Sequence, residues 1–163
     1  MSGKIEAKLA DLGYALPEPV APLAAYVPAV RTGNLIFVSG QLPMGADGLA
    51  TGHLTSADHV DGTPPADSAV GIAQAAARLC ALNQLSHVSA MAGGLDNVRR
   101  VVKLTGFVNC DGTFNQHPLV VNGASEFMGA VFGDAGQHAR AAVGSSSLPL
   151  GAVVEVEGIF EVA

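Results

Sequence analysis

From Asp67 or Ser68 to about Met91 the chain reads as one long alanine-rich helix, stopped at Gly93-Gly94, and this segment constrains the fold most. Ile72, Ala76, Leu79 and Cys80 recur at helical spacing and make one apolar side, which needs an apolar surface to cover. The surrounding runs supply it. Residues near Tyr26–Arg31 and Leu35–Ser39 read as two strands joined by the hairpin signal Thr32-Gly33-Asn34. Arg99–Cys110 reads as a strand that is apolar on both faces, through Val101, Val102, Leu104, Phe107 and Val108. A second helix begins near Pro118, carries Ala124, Phe127, Met128, Val131 and Phe132 at one-face spacing, and ends at Gly133. Ala139–Ser145 and Ala152–Val162 close the chain as strands. Ahead of all this, Ser2 to Gly13 reads as a short helix capped by Ser2, with Ile5, Leu9 and Leu12 as its stripe. Pro17, Pro19 and Pro22 then enforce an extended connection.

The resulting order is β-β-α-β-α-β-β with an extra N-terminal helix, an α+β pattern that fits one domain over residues 1–163. Two helices cover one face of a five-stranded sheet. The other face is left with Val, Ile and Phe toward water, and burying apolar area contributes roughly 25 cal/mol per Å². Self-association through that face is expected, with active sites between subunits. Composition agrees: 49% of residues are apolar and only 13% charged, against a usual charged share of roughly 25%. Residues 43–66 hold Gly45, Gly48, Gly52, Gly62, Pro64 and Pro65 and read as a long surface loop.

Several function classes are disfavoured. A net charge of −6 without any Lys/Arg run argues against nucleic-acid binding. No stretch has the ~18 consecutive apolar residues of a membrane span, so no membrane partner is expected. Met1-Ser2-Gly3-Lys4-Ile5-Glu6 has no secretory signature, and a cytoplasmic location is expected. Cys80 and Cys110 lack metal spacing and read as buried free thiols. His53, Asp58, His59 and Asp61 match no ligand pattern and read as solvated loop residues; Ser145-Ser146-Ser147 reads as a polar turn.

The chemistry concentrates between Ala139 and Glu157. Arg140 heads an apolar strand, Ala-Arg-Ala-Ala-Val, in a chain with only eight Lys+Arg. On the last strand Glu155 and Glu157 share one face while Val154 and Val156 share the other. The turn through Leu148-Pro149 is expected to bring the carboxylates back alongside Arg140. An arginine can hold a substrate carboxylate through two parallel charge-assisted bonds, and a carboxylate such as Glu155 can orient and partly deprotonate a water. The plainer alternative is a buried or interface salt bridge from Arg140 to Glu155 or Glu157. Glu157 itself reads as structural, bridging to Arg31 or Lys103.

Three blocks resemble the RidA/YjgF family, the reactive-intermediate deaminases: Tyr26 through Gly33-Asn34 to Ser39-Gly40-Gln41-Leu42-Pro43; Val102–Val108 followed by Val121-Asn122; and Ala139-Arg140 through Leu148-Pro149 to Val154-Glu155-Val156-Glu157. The resemblance implies a chorismate-mutase-like mixed sheet with two helices on one face. It further implies a homotrimer with sites between subunits, and hydrolysis of 2-imino or enamine acids to 2-keto acids and ammonia. It implies no metal and no organic cofactor. The family's carboxylate-binding arginine falls on Arg140 and its water-directing glutamate on Glu155. Its other site positions fall on Tyr26, Ser39, Gln41 and Asn122, and on Ala142, where many members carry cysteine. Tyr26 reads either as a cover for substrate or as an ordinary half-buried strand tyrosine. Asn122 either reaches substrate or satisfies a backbone group across an interface. The chain departs from the family in having Ala24-Ala25 for the common Gly-Pro, His138 for proline, and longer segments at 43–66 and 67–91. Two other functions remain: a module that binds a small carboxylate without turnover, and an endoribonuclease or translation inhibitor.

Overall fold

A computed structural model describes residues 3–19 and 25–163. In chain order the elements are α1 (Lys4–Asp11), β1 (Ala29–Thr32), β2 (Leu35–Gln41), β3 (Met44–Gly45), β4 (Gly48–Leu49), α2 (Ala69–Ala92), β5 (Val98–Asn109), α3 (His117–Phe132), β6 (Ala139–Ser145) and β7 (Val154–Val162). The main sheet has five strands in the order β1-β2-β7-β5-β6, and β3 and β4 form a separate small hairpin. β7 runs antiparallel to both β2 and β5, whereas β5 and β6 are parallel. This is the expected α+β class: a mixed sheet with α2 and α3 on one face and α1 added.

The sequence reading put the last two strands side by side. The structure separates them: β5 lies between β6 and β7. The reason is burial. Val154, Val156, Phe160 and Val162 are all fully buried, so β7 must occupy a central position. β6 is mostly exposed and suits an edge, reached from β5 by the α3 crossover that a parallel pair requires.

The helices sit close to the sheet because small residues allow it. A Cβ at Gly106 on β5 would meet Val121 of α3, and one at Gly123 on α3 would meet the Gln74 carbonyl of α2. α2 is capped by Ser68, whose hydroxyl accepts from Gly71 N (3.0 Å), and ends with Gly93 in the left-handed region (φ 75°). Ala76 and Cys80 are buried as expected, but Ile72 is 52% exposed and lies off the packed side.

α1 is not capped as the sequence suggested. Ser2 lies outside the described residues, as does Pro22 of the extended connection, and Gly3 at the N-cap offers no side chain. Asp96 replaces it from the far end of α2, accepting from Lys4 N (2.9 Å) and Ile5 N (2.8 Å). Those two backbone donors hold its carboxyl below the ordinary aspartate range. Leu9 is buried beneath the helix, while Leu12 is 41% exposed.

Residues 43–66 are more ordered than a surface loop. After the β3–β4 hairpin, Thr51 bridges Ala152 and Leu54 bridges Cys110, pinning the segment across the end of the sheet. Of the polar residues read as solvated, His53, His59 and Asp61 are exposed as expected, and His53, Asp58 and His59 also make local contacts. His53 Nδ1 lies 2.8 Å from Asn109 Oδ1, Asp58 accepts from Thr55 N (2.7 Å), and the His59 ring tilts against Phe114.

Candidate functional site

Arg140 enters β6 beside Leu104 of β5, its register partner, which is fully buried under the helices. Parallel partners point the same way, so Arg140 projects on the helix side at the edge of the sheet. Its Nη1 donates to Asn122 Oδ1 (2.8 Å) and Ser125 Oγ (3.1 Å), both on α3. Asn122 and Ser125 stand nearly one helical turn apart, which aims both acceptors at one guanidinium nitrogen. Ser125 is itself fixed. His138 Nδ1 lies 2.6 Å from the Gly136 carbonyl, to which it can only donate. In the neutral ring Nε2 is therefore an acceptor, and the Ser125 hydroxyl donates to it at 3.0 Å. Both partners of Arg140 are neutral, so its charge is oriented without being neutralised. Nη1 has spent both of its hydrogens, and the Nε–Nη2 edge is the planar fork that fits a carboxylate. Ala142 follows on the same side, half-buried and paired with Gly106.

Glu155 lies elsewhere. On β7 its neighbours Val154 and Val156 are buried under the helices, so Glu155 and Glu157 point to the opposite, uncovered face. β5 intervenes, which puts the strands of Arg140 and Glu155 about 10 Å apart as well as their side chains on opposite faces. The expected placement of the carboxylates alongside Arg140 within one chain is therefore wrong, and a salt bridge from Arg140 to either glutamate of the same chain is absent with it. Glu155 packs over β2, where Gly40 leaves the space: a Cβ on Gly40 would collide with the Glu155 carboxylate. The ladder between β2 and β7 shifts register between Val38 and Gln41, and this irregularity carries Gly40. Burial, and secondarily the charge of Glu157, push the Glu155 carboxyl above the ordinary glutamate range. Such a group holds and releases a proton nearer neutrality than a free carboxylate does.

Ser39 is close to this carboxylate set. It donates from Oγ to the Pro28 carbonyl (3.0 Å), and its own carbonyl accepts from Gln41 Nε2 (3.1 Å). Ser39 and Glu157 line a cavity of about 300 Å³ on the uncovered face, together with Val30, Phe37, Lys103 and Thr105. Glu157 thus shares its surroundings with Lys103. Arg31 does not join them: it donates to the backbone carbonyls of Gly33 (3.0 Å) and Ala163 (2.8 Å). Tyr26 is not a strand residue. It occupies a bend ahead of β1 and is 50% exposed.

The sequence-derived residues thus divide into two groups: Arg140, Asn122 and Ala142 at the helix-side edge, and Glu155, Ser39 and Gln41 around β2 and β7. Sequence reasoning missed Ser125, His138 and Gly40 as positioning residues. The signal the sequence carries for them is Asn122 and Ser125 at i and i+3, with His138 two residues before Arg140. Nothing in the sequence said that α3 lies over β6.

A family model described as "YjgF/chorismate mutase-like, putative endoribonuclease" matches residues 6–162. The chain belongs to the RidA/YjgF family. Protein TCP17 of Trypanosoma cruzi is 44% identical over 98% of this chain and 95% of its own length. Atu1372 of Agrobacterium tumefaciens, a protein of unknown function, is 45% identical; its crystal structure superposes with a TM-score of 0.80 over 98% of this chain and 94% of that one. A structure from Shewanella oneidensis carries the same endoribonuclease designation as the family model. It is 28% identical, with a TM-score of 0.85 over 98% of this chain and all of that one (100%). His138, two residues before Arg140, fixes the Ser125 hydroxyl under the guanidinium. Among the described residues, no helix is long and apolar enough to cross a membrane.

Proposed function

We propose that this RidA/YjgF chain hydrolyses reactive 2-imino or enamine acids to 2-keto acids and ammonia, at sites composed between two copies. The carrying observation is Arg140, whose guanidinium is held by two neutral acceptors and presents an uncompensated charge at a sheet edge. That arrangement suits a carboxylate ligand. A protonated imine is already electrophilic, so fixing it by its carboxylate and aiming a water at the C=N carbon is most of the work. Glu155, with its raised pKa, suits orienting and deprotonating that water. The proton then passes to the departing nitrogen. Neither a metal nor an organic cofactor is required by this scheme.

One chain presents Arg140 and Glu155 on opposite faces, so both can meet one substrate only if Arg140 of one copy faces Glu155 of another. The apolar uncovered face, with Val30, Phe37 and Val143 each more than 40% exposed, supports self-association. A homotrimer is the form the family resemblance favours. The endoribonuclease designation of its relatives is the second reading. Against it stand the net charge of −6 and the scarcity of basic residues.

A coupled assay tests the proposal. An L-amino acid oxidase generates 2-imino acids from a panel of amino acids, and semicarbazide traps what is not hydrolysed. The wild-type protein is expected to lower the trapped product. Arg140→Ala removes two or more charge-assisted bonds to substrate and is expected to cut the rate about 100-fold with the fold intact. Equal trapping with wild type and buffer across the panel defeats the deaminase reading. A thermal shift with 2-oxobutanoate and no turnover points instead to a binding module.

A further inference from the structure

A different pair of side chains meets at the far end of β6 from Arg140. Cys110 directly follows β5 and His117 opens α3, and Cys110 Sγ lies 3.4 Å from His117 Nε2. Only glycine on the neighbouring strand leaves room for them: a Cβ at Gly144 would stand 2.7 Å from His117 Nε2 and 2.8 Å from the sulfur. The pair lines a cavity of about 350 Å³ whose other walls include Asp111, Phe114, Ser145 and Ser146. This cavity lies beyond the C-terminal ends of the parallel strands β5 and β6. Phe114 meets the imidazole edge-on, with ring centroids 5.5 Å apart and planes at 87°, and fixes the ring.

The protonation of the pair fits a nucleophile with its own base. Burial lowers the His117 pKa below the ordinary histidine value, so the imidazole is neutral near pH 7. Burial also raises the Cys110 thiol, so the sulfur keeps its proton until a base removes it. In the Nδ1–H tautomer, Nε2 presents its lone pair to that S–H. The other titratable groups nearby are Asp111 in the wall, His59 behind the Phe114 ring, and His53 behind Asn109.

We propose that Cys110 and His117 form a second reactive site, separate from Arg140, which covalently captures small neutral α,β-unsaturated carbonyl compounds. Sγ adds to the β-carbon while the S–H proton passes to His117 Nε2. The alkene electron pair moves to the α-carbon, which takes the proton back from the imidazolium. One S–H bond and one C=C π bond are replaced by S–C and C–H bonds, and no co-reactant is consumed. The preference for neutral compounds comes from Asp111. Its Oδ1 accepts from Thr113 N (2.8 Å) and Thr113 Oγ1 (2.6 Å), which hold its carboxyl below the ordinary aspartate range and keep it ionised against carboxylate-bearing electrophiles. The Arg140 edge has the opposite preference.

N-ethylmaleimide on the folded protein, read by peptide mass mapping, tests this without any assay of imine hydrolysis. Cys110 is expected to be labelled. Cys80, fully buried under the sheet with its thiol pushed well up, serves as the unreactive internal control. The labelling rate is expected to stay flat between about pH 7 and 8, where His117 is already neutral. An unassisted thiol would gain about tenfold over that range with its thiolate fraction. His117→Gln is expected to slow labelling about 100-fold and to restore the steep pH dependence. A maleimide bearing a carboxylate is expected to react more slowly than N-ethylmaleimide, and Asp111→Asn to remove the difference. The proposal falls if Cys110 stays unlabelled in the folded protein, or if wild type shows the steep pH dependence. The second criterion needs no variant, so it decides the matter even where His117→Gln fails to fold.

Discussion

Glu155 occupies a costly position for a carboxylate, half-buried on β7, packed over Gly40, with Glu157 on the same face. Burial first, and the like charge second, raise its pKa. The sign of the linkage follows. A raised carboxyl binds its proton more tightly in the folded chain than in the unfolded one. Stability from this group is therefore complete below the ordinary glutamate pKa and declines as pH rises through the raised value. Glu155→Gln is expected to melt at a higher temperature than wild type at neutral pH, with the two converging as pH falls below the ordinary glutamate range. Thermal denaturation across pH checks this, and a variant that melts lower at neutral pH would contradict the assignment. The same substitution is expected to lower imine hydrolysis by about 100-fold or more, the usual scale for a lost general base. At this scale much is legible in the sequence: strand alternation alone puts Glu155 and Glu157 on one face. The Ser125–His138 support of Arg140 was not legible, because it depends on how one element lies over another.

Helix α3 sets the geometry of the Arg140 edge. Gly106 lets it down onto β5, Gly123 lets it against α2, and Asn122 sits between these two contacts. Gly123→Ala places a methyl against the Gln74 carbonyl, a backbone atom that cannot turn aside. It is expected to cost about 1–3 kcal/mol of stability, measured by denaturant unfolding, and to loosen the Asn122–Arg140 contact, raising KM more than it lowers kcat. Periodicity located α3 closely: Pro118 in its first turn, Ala124 to Val131 as its buried side, Gly133 as its end. It failed for Ile72, where a helix rich in alanine offers little contrast between its faces. It failed again for β6 and β7, since short apolar strands in sequence give no sign of which pairs with which.

For the molecule as a whole, the separation of Arg140 from Glu155 across the sheet has a direct consequence. If each site takes Arg140 from one copy and Glu155 from another, two inactive variants can repair each other. Arg140→Ala and Glu155→Gln, unfolded together and refolded as a mixture, are expected to regain about a quarter of the wild-type rate through sites that receive both intact residues. Each variant refolded alone is expected to stay inactive. A mixture no better than its parts would place both residues in a single-chain site or dismiss one of them. The low charged fraction of the sequence and the apolar residues on alternate strand positions anticipated an uncovered face, and the sheet has one, with Phe37, Val30 and Val143 on it.

The sequence by itself determined the elements and their order, which strand residues share a face, and the family, because these depend on local periodicity, turn chemistry and residue identity at fixed spacings. Tertiary structure alone decided that β7 takes the centre and β6 the edge, that Asp96 caps α1 across the chain, and that residues 43–66 are pinned to the sheet end. It also decided that Arg140 and Glu155 face opposite ways. These outcomes follow from competition among long-range pairings for burial, in which β7, whose helix-side residues Val154, Val156, Phe160 and Val162 are all buried, outbids β6 for the centre, and no local pattern encodes the result of that competition.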